Sequence, residues 1–170
     1  MALNEFFEKL DSLADSVPPP TLQKLLRELD LGDDIASHLH FENGRYQRNL
    51  LNRTPHYEAL LLCFEPGQQT PIHDHAGSAC GVKIIKGTAT EIAYQLDPDG
   101  FLNELGKTKL TADGVVGSND MDIHSLGNAE PKERLVSLHI YSPPLGEVGN
   151  YSLDNNLRTC ITAVTRQENS

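Results

Sequence analysis

The first forty residues carry apolar side chains at helical spacing. Two stripes recur every three or four positions, as expected for helices that bury one face. They are Leu3, Phe6, Phe7, Leu10 and Leu13, followed by Leu22, Leu25, Leu26 and Leu29. Three prolines at residues 18–20 predict the end of the first helix, because proline lacks an amide hydrogen and clashes with the preceding turn. Gly32 after the second stripe predicts the end of the second helix.

From Phe41 onward, short runs rich in β-branched and aromatic residues alternate with turn residues. The runs cover residues 56–64, 81–85, 88–95, 107–110, 115–116, 134–141 and 159–165. Residues 97–100, Asp-Pro-Asp-Gly, predict a tight turn, since proline fixes φ and glycine permits positive φ. Many short strands at this spacing indicate a mainly β sandwich or barrel. We predict one domain, in which helices in residues 1–40 pack on a barrel formed by residues 41–170.

Charge and cysteine content limit the classes of partner and the cellular compartment that we expect for the protein. The formal net charge is -10, whereas a nucleic-acid-binding surface needs a basic patch. No apolar run approaches the ~20 residues of a membrane helix, and the first residues lack the basic and apolar regions of a signal peptide. The three cysteines include no CxxC pair, which argues against a disulfide framework. We expect a cytoplasmic monomer with no nucleic-acid or membrane partner.

Three histidines form the strongest candidate for a chemical site. His73 and His75 flank Asp74 in a strand-like stretch, and side chains two residues apart on a strand point to the same face. His124, about one hairpin later, completes a set of three imidazoles that leaves coordination positions open for chemistry. Neutral imidazole binds iron, zinc, copper and nickel, so the ligands alone leave the metal undecided.

A later strand-like stretch carries a polar row. Ser137, His139 and Tyr141 alternate with apolar residues and therefore share one face. The apolar residues of the opposite face are Val136, Leu138 and Ile140. We expect the apolar face to pack under the helices, which turns the polar row into the barrel. A buried polar row needs hydrogen-bond partners, and a metal pocket lined with acid–base groups supplies them.

The histidine segments resemble the two sequence motifs of the cupin fold. Residues 67–87, which place His-Asp-His between two glycines, are spaced as in the first motif. Residues 124–128, His-Ser-Leu-Gly-Asn, end as the second motif does. Cys80 stands where the first motif usually has a glutamate that is often a metal ligand. The resemblance implies a cupin, a jelly-roll-like β-barrel, with an amino-terminal helical segment.

A wider set of segments resembles the cysteine dioxygenase family, thiol dioxygenases of the cupin fold. The segments are Tyr46-Gln-Arg48-Asn-Leu, Ile72-His-Asp-His-Ala-Gly-Ser-Ala-Cys80, Ile123-His124 with Asn128, and Ser137-Leu-His-Ile-Tyr-Ser-Pro-Pro144. The resemblance implies that His73, His75 and His124 hold one Fe(II) and that O2 is a co-substrate. Both oxygen atoms would end on the sulfur of L-cysteine, giving cysteine sulfinate without an external reductant. In agreement, neither a GxGxxG motif nor a P-loop is present.

The same resemblance implies roles for other matched residues. Arg48 would clamp the substrate carboxylate, which suits its planar guanidinium, and Tyr46 would add a hydrogen bond. The Tyr141 hydroxyl would face the iron-bound substrate, His139 would orient that hydroxyl, and Ser137 would hold His139.

Cys80 falls where animal members of the family carry a cysteine that forms a thioether with the tyrosine matching Tyr141. Many bacterial members have glycine at this position. A Cys80–Tyr141 thioether cross-link is therefore a candidate modification, and the alternative is a small buried thiol. Ala79 replaces a residue that is often larger in the family, which implies a wider pocket.

Three alternatives stay open. One is a dioxygenase for another small carboxylated thiol, such as 3-mercaptopropionate or mercaptosuccinate; cysteamine has no carboxylate, so Arg48 counts against it. A second is a zinc or nickel cupin that acts as a hydrolase or isomerase. A third is a cupin that only binds a metal or a small ligand, although the polar row of residues 137–141 argues against simple binding.

Overall fold

The computed structural model describes residues 1–13, 15–32, 35–118 and 122–153, together with the backbone of residues 158–162. These residues form two α-helices, a short 3₁₀ helix and eleven strands. The helices are α1 Leu3–Asp11, α2 Pro19–Glu28 and the 3₁₀ helix Ala36–His38. The strands are β1 Gln47–Arg53, β2 Glu58–Phe64, β3 Ile72–His73, β4 Ala79–Lys86, β5 Thr88–Leu96, β6 Leu102–Thr111, β7 Val115–Ser118, β8 Ile123–Gly127, β9 Leu135–Ser142, β10 Glu147–Tyr151 and β11 Arg158–Thr162.

The strands form two sheets that face each other. The first sheet has the order β1-β2-β9-β4-β7, and the second has the order β11-β10-β3-β8-β5-β6. The chain crosses repeatedly from one sheet to the other, so that β9 returns to lie between β2 and β4. Such crossing is typical of jelly-roll-like double sheets. The prediction of a mainly β protein is confirmed.

Alternating side chains give the first sheet two buried faces. The outer face packs against the helices in one hydrophobic cluster, whose members include Phe6, Leu10, Leu22, Leu26, Leu61, Val136, Leu138 and Ile140. The inner face packs against the second sheet in another cluster, whose members include Leu60, Val82, Ala89, Leu126, Tyr141 and Val148. The apolar face of β9 therefore packs under the helices as predicted. The polar row, Ser137, His139 and Tyr141, is buried on the inner side.

The prolines between the helices have a different role from the predicted one. α1 already ends at Asp11, and Pro19 and Pro20 form the first turn of α2. Proline is tolerated there because amides of a first turn have no partner within the helix. α2 ends at Glu28, before the turn at Gly32 with its φ of +49°. That glycine therefore belongs to the connection after the helix rather than to its end.

The sequence pattern does not predict β1 and β10. Both strands contain asparagine, and β10 also contains glycine, residues with low strand propensity that pairing within a sheet outweighs. At the carboxyl end, β11 covers part of the predicted run of residues 159–165, whose last three residues lie outside the described chain.

The helices share one hydrophobic cluster with the first sheet, while the single domain and its boundary at residue 40 stay predictions. Within the described part of the chain, no helix combines the length and the apolar character needed to cross a membrane.

Candidate metal centre

Three histidine side chains converge on the inner side of the second sheet. His73 ends β3 and pairs directly with His124 of β8, with 4.9 Å between their ring centroids. His75 follows β3, and its ring lies 4.8 Å from the ring of His124. One nitrogen from each ring lies within 4.8 Å of the other two. The fold therefore brings the predicted set of three imidazoles together.

The route by which two of these histidines meet differs from the prediction. They do not share one face of a strand, because β3 ends at His73 and His75 lies in the loop that follows. The carboxylate of Asp74 holds this loop against β10. Its Oδ1 accepts hydrogen bonds from two backbone amides at 3.1 and 2.9 Å, and its Oδ2 accepts one from the Tyr151 hydroxyl at 2.8 Å. The acidic residue between the histidines thus joins their loop to β10.

Hydrogen bonds around the cluster decide which nitrogens face into it. His73 Nδ1 donates to the carbonyl oxygen of Pro71 at 2.9 Å, and His124 Nδ1 donates to Glu91 Oε1 at 2.7 Å. Carbonyl and carboxylate oxygens only accept, so each Nδ1 carries a hydrogen and Nε2 is the nitrogen of each ring that can bind a metal ion. Burial, with a smaller effect from His124, lowers the pKa of His73 to about 4. His73 is therefore neutral at pH 7, the form that binds a metal ion.

The spacing of the nitrogens fits a metal ion. Nε2 of His75 and Nε2 of His124 lie 3.1 Å apart. Two imidazole nitrogens that bind one ion at about 2.1 Å and at right angles lie about 3 Å from each other. Three imidazole nitrogen donors suit Fe(II) as well as zinc, copper and nickel, and they leave coordination positions for small molecules. The residues present therefore fit Fe(II) without selecting it.

The polar row of β9 faces this cluster from the first sheet. Ser137 Oγ lies 2.9 Å from His139 Nε2, and Tyr141 Oη lies 3.1 Å from His139 Nδ1. The rings of His75 and Tyr141 are 5.5 Å apart, so the row ends next to the histidines. Burial lowers the pKa of His139 well below its ordinary value and raises the pKa of Tyr141 well above its own. Both groups are therefore neutral at pH 7 and form one connected chain of hydrogen bonds.

Cys80 of β4 lies directly opposite Tyr141 of β9 in the register of the first sheet. Its thiol is buried and hydrogen-bonded to the tyrosine side chain. Burial, together with the nearby charge of Glu91, raises the pKa of Cys80 to about 12. The two members of the candidate cross-link are thus in contact, and both are protonated at pH 7.

Arg48 of β1 reaches the same pocket. Its guanidinium lies 5.8 Å from the centre of the Tyr141 ring and is hydrogen-bonded to Tyr46. Its buried Nε and Nη2 have no hydrogen-bond partner in the described part of the chain. These two atoms form the edge of a guanidinium that binds a carboxylate through two parallel bonds. At the surface, Arg134 uses this edge on Glu65, at 3.1 and 2.7 Å. The same edge of Arg48 makes no such pair within the described residues, and Glu58 Oε1 lies 4.0 Å from its Nη2.

Two acidic side chains join the site, the buried Glu58 and the half-buried Glu91, although the sequence pattern does not single them out. Glu91 of β5 accepts the hydrogen bond from His124, and Glu58 of β2 lies between Arg48 and Arg53. The one sequence feature that could indicate them is the position of each acidic residue within a run of strand-forming residues. Because neighbouring residues of a strand face opposite sides, only the sheet arrangement shows that these carboxylates point inward.

Comparison with known proteins assigns the chain to a family. The family model described as cysteine dioxygenase type I matches residues 23–154. The chain belongs to the cysteine dioxygenase family. It is 31% identical over 153 residues to the cysteine dioxygenase type 1 of Rattus norvegicus, a match that covers 74% of this chain and 76% of that protein. The predicted family is confirmed.

Solved structures bear out the fold of this member of the cysteine dioxygenase family. A protein from Klebsiella pneumoniae with a double-stranded β-helix domain has a TM-score of 0.53 and 19% identity, over 64% of this chain and 81% of that chain. The Cnp3 cupin domain of Schizosaccharomyces pombe has a TM-score of 0.50 and 13% identity, over 63% of this chain and 66% of that chain. At such identities the likeness concerns the fold alone, and it confirms the predicted cupin architecture.

Within this member of the cysteine dioxygenase family, the predicted site residues surround the ring of Tyr141. The histidine cluster approaches it from the second sheet, Arg48 approaches it from β1, and Cys80 lies beside it on β4. The fold thus brings the residues together, while the chemical roles that the family resemblance implies for them stay predictions.

Proposed function

We propose that the protein is an Fe(II)-dependent dioxygenase that adds both atoms of O2 to the sulfur of L-cysteine and yields cysteine sulfinate. The observation that carries this proposal is the position of the Tyr141 ring, 5.5 Å from the His75 ring and 5.8 Å from the Arg48 guanidinium. A small thiol with a carboxylate can lie against this ring, with its sulfur towards the histidines and its carboxylate towards the arginine. Membership of the cysteine dioxygenase family supports the proposal of a thiol dioxygenase.

His73, His75 and His124 would hold the Fe(II), and the bound ion would supply open coordination positions for thiol and O2. The overall reaction joins one thiol and one O2 to give one sulfinic acid. All the electrons that reduce O2 come from the sulfur, so the protein needs no flavin or nicotinamide.

Arg48 would bind the substrate carboxylate through Nε and Nη2. These two buried donors lack a partner in the described chain, and a carboxylate supplies two acceptors in the matching geometry. The hydrogen bond to Tyr46 holds the guanidinium in place before the substrate arrives. A carboxylate fixed in this way orients the sulfur for reaction.

The row on β9 would control one proton at the Tyr141 hydroxyl. Since the phenol and the imidazole are both neutral, Tyr141 donates to His139 Nδ1 while His139 Nε2 donates to Ser137, or every bond points the other way. In the second arrangement the phenol hydrogen is free to bond with the substrate. A switch between the two arrangements delivers or withdraws a hydrogen-bond donor at the reacting atoms.

The proposal includes a thioether between Cys80 and Tyr141, which face each other across β4 and β9. Joining sulfur to a ring carbon removes the thiol hydrogen and a ring hydrogen, and O2 takes up the two electrons and two protons to become H2O2. Intact-protein mass spectrometry after aerobic turnover checks this step. A loss of two hydrogen atoms that disappears in Cys80→Ser supports the cross-link, and an unchanged mass contradicts it.

Oxygen uptake by anaerobically purified, Fe(II)-loaded protein tests the main proposal. We expect equimolar consumption of O2 and L-cysteine, with a product heavier by two oxygen atoms. A zinc-containing protein that consumes no O2 with any small thiol would contradict the proposal and favour a cupin hydrolase or isomerase.

Replacement of Arg48 by alanine tests its assigned role. The loss of charge-assisted hydrogen bonds to the substrate should raise KM for L-cysteine and 3-mercaptopropionate by about tenfold or more. Turnover of cysteamine, which has no carboxylate, should not change. Unchanged KM values for the carboxylated thiols would remove Arg48 from the substrate site.

We also propose that the enzyme acts as a cytoplasmic monomer on a small thiol rather than on nucleic acid. The net charge of -10 opposes binding to a phosphate backbone, and the buried free thiols of Cys63 and Cys80 suit a reducing compartment. Light scattering coupled to size-exclusion chromatography tests the monomer.

A further inference from the structure

The carboxylate subsite of the proposed enzyme already contains an anion. Glu58, the first residue of β2, lies on the inner side of the sheet, and its side chain is only 2% exposed. Its Oε1 accepts a hydrogen bond from the Leu145 amide at 3.1 Å and lies 4.0 Å from Nη2 of Arg48. Its Oε2 lies 3.6 Å from Nη1 of Arg53 on the neighbouring strand.

The two arginines and this glutamate give the subsite a net charge of one positive unit. Arg48 and Glu58 are shielded from water, with side-chain exposures of 12% and 2%, whereas Arg53 is 47% exposed. One substrate carboxylate on Arg48 neutralises the group. A second carboxylate would leave an uncompensated negative charge in a buried place, which is strongly disfavoured.

We propose that Glu58 restricts the substrate to small thiols with one carboxylate and excludes dicarboxylated thiols such as mercaptosuccinate. This inference rests on the proposed function, because it takes Arg48 as the carboxylate-binding residue. Glu58 Oε1 lies 4.0 Å from Nη2 of Arg48. A substrate carboxylate that accepts a hydrogen bond from this nitrogen places an oxygen about 2.8 Å from it. The two carboxylate oxygens are therefore at most about 7 Å apart. Glu58 therefore already repels the carboxylate on Arg48, and a second carboxylate of the same small molecule adds a further like charge to this buried pocket, where salt screens little.

Substitution of Glu58 by glutamine separates its charge from its shape. The amide oxygen of Glu58→Gln still accepts the hydrogen bond from Leu145, while the net charge of the subsite rises by one unit. The ratio of kcat/KM for mercaptosuccinate to kcat/KM for 3-mercaptopropionate should therefore rise about tenfold or more. KM for 3-mercaptopropionate should fall, with kcat little changed, because a competing anion has been removed.

A shorter acid provides the complementary variant. Glu58→Asp keeps the negative charge but draws it back from Leu145, so the substrate ratio should stay within about threefold of the wild type. A purely structural role predicts the reverse, with Glu58→Asp more impaired than Glu58→Gln and no change of the ratio in either variant.

Glu65 offers a matched control just beyond the end of β2. It directly follows β2 at the opposite end and binds Arg134, whose side chain is 54% exposed. Glu65→Gln removes the same charge next to the same strand but outside the site, and it should leave the substrate ratio unchanged.

Thiol-free acids keep this test independent of catalysis. Fe(II)-loaded protein is titrated anaerobically with propionate and with succinate. Propionate binding that Arg48→Ala abolishes, together with succinate binding that appears only in Glu58→Gln, supports the inference even if the wild type oxidises no thiol. A wild type that oxidises 3-mercaptopropionate and mercaptosuccinate equally well overturns the inference while leaving thiol oxidation intact. An unchanged substrate ratio in Glu58→Gln, or succinate binding equal to that of propionate in the wild type, overturns it as well.

Discussion

At the residue scale, Glu91 links the metal centre to the rest of the pocket. Its carboxylate accepts the Nδ1 hydrogen of His124, and Nε2 of that ring thereby faces His75. A carboxylate in this position also makes the imidazole a stronger donor, because it stabilises the positive charge that a bound metal induces on the ring. The same charge adds to burial in raising the pKa of Cys80.

Removal of the Glu91 carboxylate should therefore weaken metal binding. For Glu91→Ala we expect a fall of about 10–100-fold in Fe(II) affinity, measured by anaerobic competition with a chelator. Glu91→Gln should lose less Fe(II) affinity, because its amide oxygen still accepts the hydrogen bond from His124 Nδ1. Glu104→Gln, which removes a surface carboxylate 3.7 Å from Lys107, serves as control and should bind Fe(II) normally. An Fe(II) affinity of Glu91→Ala equal to that of the wild type would show that the hydrogen bond from His124 to Glu91 does not contribute to metal binding.

The site residues that the sequence predicts are those with a spacing signal. His73, His75 and the row ending at Tyr141 stand out because alternation and motif spacing identify them without any knowledge of the neighbouring strands. Glu58 and Glu91 are single acidic residues, and either could face solvent or the pocket. Their direction depends on how the strands pack into two sheets, which local sequence does not encode.

At the scale of elements, the position of α2 depends on a glycine. A Cβ at Gly81 of β4 would lie 2.8 Å from Leu22 Cβ and 2.9 Å from Leu26 Cδ1, so the helix packs directly on the strand backbone. The apolar stripe predicts which leucines of α2 are buried, but it does not reveal how closely they approach the sheet. Likewise, alternation suggests a strand through His75, whereas the side-chain bonds of Asp74 turn that stretch into a loop.

Filling the contact at Gly81 should destabilise the fold. For Gly81→Ala we expect a loss of about 1–3 kcal/mol in the free energy of unfolding, since the methyl group forces α2 away from β4. Gly106→Ala on β6 is the control, because a Cβ there meets no described atom within 4 Å. That variant should be neutral or slightly stabilised. Urea unfolding measures both, and equal stability of the two variants would show that α2 moves at no cost.

At the scale of the whole molecule, the site is divided between the two sheets. The three histidines belong to the second sheet and the loop after β3, while Arg48 and the row ending at Tyr141 belong to the first sheet. The cupin architecture is predictable because its two motifs supply ligands at fixed spacing. The meeting of the metal side with the substrate side follows from long-range strand pairing, such as that of β2 with β9, and no local pattern encodes it.

This division predicts that metal binding and substrate binding respond to separate mutations. The unfolded chain has no preformed site, so Fe(II) at a hundred times its Kd should add about 2.7 kcal/mol to the free energy of unfolding. For a chain of this length that corresponds to a rise of about 5–10 °C in Tm, measured anaerobically and reversed by a chelator. The rise should vanish in His124→Ala, which loses a ligand of the second sheet, and persist in Arg48→Ala. An equal rise in His124→Ala would place the ion elsewhere and remove the three-histidine centre from the proposed mechanism.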